Sequence, residues 1–153
     1  MHRRGVWIVI AISALAAVAA WLIPAMPQPL AYHDFADDRQ MFGVENFLDV
    51  ASNIAFALVG VAGLSLSLGR HARFQYSIER LPYVVFFVGV LLTAAGSAYY
   101  HLAPDNETLF WESGASSLSR EVHRELRRLG GPPQTAQGDL YLVVQAGNAF
   151  LHE

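Results

Sequence analysis

Cysteine is absent from all 153 residues. That excludes disulfide staples and thiolate metal sites, and any transition metal would have to rest on histidine and carboxylate. Charge is scarce as well: 15% of residues are charged against 54% hydrophobic, a balance too apolar for an ordinary soluble domain of this length. There is no internal repeat, no glycine-rich loop of the kind that cradles phosphate and no nucleic-acid signature, so nucleic acid is not indicated as a partner. The net charge of −3 says little by itself, because in so apolar a chain the placement of charge matters more than its sum.

What the chain does have is long apolar runs. Val6 to Pro24, Phe47 to Leu68 and Leu81 to Tyr100 each approach or exceed the roughly 20 residues that cross a bilayer as a helix. The expected class is therefore an all-α integral membrane protein with about three spanning helices. Arg3 and Arg4 precede the first run, which Trp7 and Trp21 bracket like interfacial belt residues. Two readings stay open for residues 1–27: a signal-anchor or additional membrane helix, and a secretory signal peptide with Ala17-Val18-Ala19 as its small-residue cleavage site. Both start the amino terminus in the cytoplasm.

Charge then orients the rest. Gln28 to Asn46 is acidic, with Asp34, Asp37, Asp38 and Glu45 against Arg39, whereas the loop after the second run carries Arg70, His71, Arg73 and Arg80 against Glu79. Counting positive charge on the inside places Arg70 to Arg80 in the cytoplasm. The acidic segment and the His101 end of the third run then share the opposite face, periplasmic if the membrane is a bacterial inner membrane.

On the third helix, Gly89, Thr93, Ser97 and His101 recur every four residues and form one stripe of small and polar groups. Such a stripe faces protein or water rather than lipid. On the second helix, Asn46, Asp49 and Asn53 share a face, and Gly60 and Gly63 permit close packing. A carboxylate one turn inside a membrane helix is costly unless paired, which makes Asp49 a functional candidate, with an interfacial cap as the plainer alternative. Tyr99 and Tyr100 read as belt residues, and Asp105-Asn106 after Pro104 as a turn. For His101 the plainer alternative is an interfacial histidine bonded to a neighbour, and for Ser97 it is helix packing.

After Glu112 the composition changes. Ser113 to Gln137 is polar and basic, with Leu118, Val122, Leu126 and Leu129 outlining a short amphipathic helix before Gly130-Gly131-Pro132-Pro133. The arginines between Arg120 and Arg128 read as a solvated or membrane-surface face. Leu140 to Leu151 is apolar but too short to span.

Ser97-x-x-x-His101 on a membrane helix, followed by Trp111 and Glu112, resembles the alkaline ceramidase family, particularly its bacterial members. So do Tyr32-His33-Asp34-Phe35-Ala36-Asp37-Asp38-Arg39 and Asn46-Phe47-Leu48-Asp49-Val50-Ala51-Ser52-Asn53, and the likeness runs from about Tyr32 to Glu112. It implies part of a seven-helix membrane hydrolase that cleaves the amide bond of ceramide-like lipids entering from the bilayer. By the same resemblance His101 is the first of three zinc histidines, Ser97 the hydroxyl that meets the oxyanion, and Glu112 the catalytic acid, where the family usually has aspartate. The acidic segment resembles the family's calcium-binding stretch, which implies Asp34, Asp37, Asp38 and Asn46 as calcium ligands, with a solvated acidic loop as the plainer alternative for the three aspartates. These residue types suit the chemistry: zinc on three protein ligands activates a water, a carboxylate carries the proton, and oxygen-rich loops hold calcium.

The resemblance stops at the carboxyl side. The family's His-x-x-x-His pair is absent, and the other histidines are His2, His33, His71, His123 and His152. Glu112-Ser113-Gly114-Ala115 also departs from the family's Asp-Arg-Leu-Pro-Met continuation. The expectation is a truncated or frame-disrupted member: residues 1–27 as an additional helix, 28–112 as a partial ceramidase-like domain, and 113–153 as an atypical amphipathic and irregular tail. A non-enzymatic membrane protein or packing module is the competing reading.

Overall fold

The computed structural model describes residues 3–22, 27–34, 37–69, 74, 76–128, 143, 144 and 146. Among them the fold is all-α. Four helices follow in order, α1 (Arg3–Leu22), α2 (Phe47–Leu68), α3 (Leu81–Leu102) and α4 (Asn106–Arg128), with single 3-10 turns at Leu30–His33 and Ser77–Arg80. The only strand-like feature among the described residues is an isolated bridge between Met41 and Val44. It closes a tight turn in which Phe42 and Gly43 both have positive φ, 54° and 81°, the backbone hand that a two-residue hairpin turn requires.

α1, α2 and α3 follow the three apolar runs, and two helices, α2 and the one formed by residues 77–102, are long and apolar enough to cross a membrane. α2 and α3 pack antiparallel. Gly63 lies against the Phe87 ring, and a Cβ at Gly60 would come within 2.6 Å of Leu91 Cγ, so both glycines permit the close approach expected of them. Tyr83, Phe86, Phe87 and Val90 on α3 are fully buried and join Val122 and Leu126 of α4 and Val144 in one apolar cluster. That cluster sits toward the start of α3, which leaves the other end of the bundle to polar groups.

α4 differs from the short amphipathic segment expected. It runs unbroken for 23 residues, so the compositional change at residue 113 falls inside a helix. Its start is fixed by Asp105, whose Oδ1 accepts the backbone N–H groups of Glu107 at 2.9 Å and Thr108 at 2.8 Å. The turn expected at Asp105-Asn106 is thus a helix N-cap. α4 lies antiparallel along α3 in a regular register. Gly96 opposes Glu112 and Gly89 opposes Ser119, seven residues apart on each helix. α1 packs against α4.

Candidate functional site

The polar residues that the sequence singles out gather where α2 begins, α3 ends and α4 begins. At the start of α2, Asn46 adopts a left-handed conformation (φ 50°, ψ 41°) and makes no side-chain cap of its own helix. Its Nδ2 instead donates to the His101 carbonyl at 2.8 Å, serving one of the carbonyls orphaned at the carboxyl end of α3. The cap of α2 comes from further away: Asp37 Oδ2 accepts the Leu48 N–H at 2.8 Å. The start of α2 thus caps the end of α3 through Asn46 and is itself capped by Asp37 from the preceding segment.

His101 Nδ1 lies 3.9 Å from Asp49 Oδ2 across the same junction. The face shared by Asn46 and Asp49 is thus the one turned toward the end of α3. Tyr100 departs from the belt reading. Tyr99 is exposed, but Tyr100 is buried and its hydroxyl shares a 2.9 Å hydrogen bond with His33 Nδ1. The Leu30–His33 turn therefore folds over the end of α3, while His33 Nε2 is buried without a hydrogen-bond partner among the described residues. The His33 and His101 rings flank Tyr100, with centroids 5.8 and 5.6 Å from it.

Ser97 is half-buried one turn before His101, and Glu112 is half-buried on α4. Gly96 brings the two helices into near contact there, since a Cβ on it would stand 3.1 Å from Glu112 Cα. Asn106 closes the end, exchanging hydrogen bonds with the backbone of Gln28 at 2.6 and 3.4 Å. Sequence reasoning did not find the Asp37–Leu48, Asn46–His101 and His33–Tyr100 contacts. Each joins residues far apart in the chain, and no local spacing announces them.

The described carboxylates of the acidic segment differ in their surroundings. Asp34 and Asp38 are exposed, whereas Asp37 is buried, with Oδ1 taking the Arg39 Nε–H at 2.6 Å and Oδ2 taking the Leu48 amide. The Arg39 hydrogen bond holds the Asp37 carboxyl below the usual aspartate range, and Asp37 in turn raises Arg39. Asp105 is likewise held low, chiefly by the Thr108 amide. Among the described residues no three histidine, aspartate or glutamate side chains converge to hold a metal ion. The His101–Asp49 pair brings together two of the groups, where a zinc centre uses three protein ligands.

No family model, curated protein or solved structure matches the chain.

Proposed function

We propose that this chain is an integral membrane protein whose polar end carries part of a hydrolase centre for the amide bond of ceramide-like lipids. The observation that carries this reading is convergence. Asp49 meets His101, His33 meets Tyr100, and Glu112 lies against the residue preceding Ser97, all where two apolar helices end. Exposed Tyr32, Phe42, Tyr99 and Trp111 lie in the segments that form this end, as suits a membrane–water interface. In the proposed orientation the amino terminus is cytoplasmic, α1 is an additional membrane helix, and the His101 end is periplasmic. Ser97 would donate to the oxyanion of a lipid amide and Glu112 would move its proton. His101 would supply one zinc ligand, with the remaining ligands from outside the described cluster.

A second reading, a membrane protein without enzymatic activity, is favoured by the polar side chains at this end that are spent on helix termini, Asn46 on the His101 carbonyl and Asp37 on the Leu48 amide. Zinc stoichiometry of the detergent-purified chain, with His101→Ala as control, separates the two. Bound zinc that disappears in the variant supports the hydrolase reading and warrants amidase assays on ceramide. Unchanged zinc in the variant removes His101 as a ligand, and no zinc in either protein favours the non-enzymatic reading.

A further inference from the structure

The outer face of α4 is incompatible with lipid if α3 crosses the membrane, as the reading above has it. α3 has 22 residues, about 33 Å at 1.5 Å per residue, close to the thickness of a hydrocarbon core. Gly89, which opposes Ser119, stands roughly 12 Å from the start of α3 and about 4 Å short of its middle. Arg120 follows Ser119 directly, so its backbone lies near mid-membrane. Ser113, Ser117, Arg120 and Arg124 share the exposed side of α4. Glu121, ion-paired to Arg124 at 2.6 Å, borders the same strip. Arginine at that depth is expensive against hydrocarbon and is found facing protein or water. By contrast, the exposed residues of α2 and α3 include Ile54, Leu58, Val61, Val88 and Leu92, a surface lipid accepts.

We propose that two copies of the chain associate through the polar face of α4, shielding this strip from lipid. The strip suits a second copy because it carries both signs within one turn. Across a two-fold axis, Arg124 meets Glu121 of the partner subunit, and the same pairing recurs in reverse. Each Glu121 then serves two arginines, and the serines at positions 113 and 117 leave room for the backbones to approach.

The lack of cysteine makes an introduced thiol unique, so cross-linking tests the face directly. Ser117→Cys, at the centre of the strip, and Leu58→Cys, on the exposed side of α2, would be oxidised in membranes washed with alkaline carbonate. The expected result is a carbonate-resistant chain that cross-links to a dimer through position 117 and not through position 58. Adding Arg124→Glu should weaken cross-linking by about tenfold or more through like-charge repulsion, and adding Glu121→Arg to that variant should restore it. A membrane-resident Ser117→Cys chain that stays monomeric would overturn the dimer while leaving the membrane reading intact, as would preferential cross-linking at position 58. Release of the chain by carbonate would overturn the membrane reading and the depth argument with it.

Discussion

Adding one methyl group to each of three helical glycines should change stability in opposite directions. At Gly63 the new Cβ would fall on the Phe87 ring. That ring is fully buried and packed edge-on against Phe86, with centroids 5.0 Å apart, so it has no free rotamer to retreat into. Over-packing of this kind costs about 1–3 kcal/mol, against a helix-propensity gain of about 1 kcal/mol for replacing glycine by alanine. Gly63→Ala should therefore be destabilising by about 1 kcal/mol on balance. At Gly60 the methyl meets Leu91 Cγ at 2.6 Å and Cδ2 at 2.7 Å. The half-buried Leu91 side chain can turn aside, but its backbone N, 3.3 Å from the methyl, cannot, so the net effect should lie between those of the other two glycines. At Gly114 nothing lies within 4 Å, and alanine should stabilise by up to about 1 kcal/mol. The separation between Gly114→Ala and Gly63→Ala is thus about 2 kcal/mol, or roughly 4–8 °C in Tm for a chain of this size. Thermal unfolding in one detergent, followed by circular dichroism, measures it. If Gly63→Ala melts at or above Gly114→Ala, the α2–α3 packing described here is wrong.

The caps at these helix termini give two further expectations. Asn46→Gly keeps the left-handed backbone and loses only the bond to the His101 carbonyl, about 1 kcal/mol, whereas Asn46→Ala adds about 1 kcal/mol of backbone strain. Equal melting temperatures for the two variants would refute that division. Asp37 and Asp105 are both held below the usual aspartate range. Their stabilising contribution is therefore complete above an unfolded-state pKa of about 4 and is lost as pH falls through the lower folded values. Amide exchange at Leu48 and Thr108, referenced to its intrinsic rate, should lose protection on acidification below that point. Asp37→Asn should flatten the response at Leu48 alone.

Much of the helical framework was legible because it rests on local quantities. The run from Phe47 to Leu68 is α2, and that from Leu81 to Tyr100 is α3 short of its last two residues. Their apolar length needs no partner to be recognised. Gly60 and Gly63 were readable as contact points for the same reason: small residues on an apolar helix leave room that only another helix fills. α4 was harder. Its exposed side looks like a solvated helix, and its capping signal at Asp105 is shared with ordinary turns. Only packing against α3 along the Gly89 and Gly96 positions shows that the helix begins at Asn106 and continues through the change in composition.

At the polar end, the residue types on their own marked Asp49, since a carboxylate inside an apolar helix demands a partner, whereas the roles expected of His101 and Ser97 came from the resemblance. The sequence by itself determined that the chain is helical and apolar, that α2 and α3 form, and that one end of them is polar. Tertiary structure alone decided the pairing: Asp49 with His101, Tyr100 with His33, Asn46 with the end of α3, and Asp37 with the start of α2. The physical reason is that helix formation follows from hydrogen bonds and side chains within a few residues, whereas these polar contacts join residues 11 to 67 positions apart and exist only once packing has brought the helix ends together.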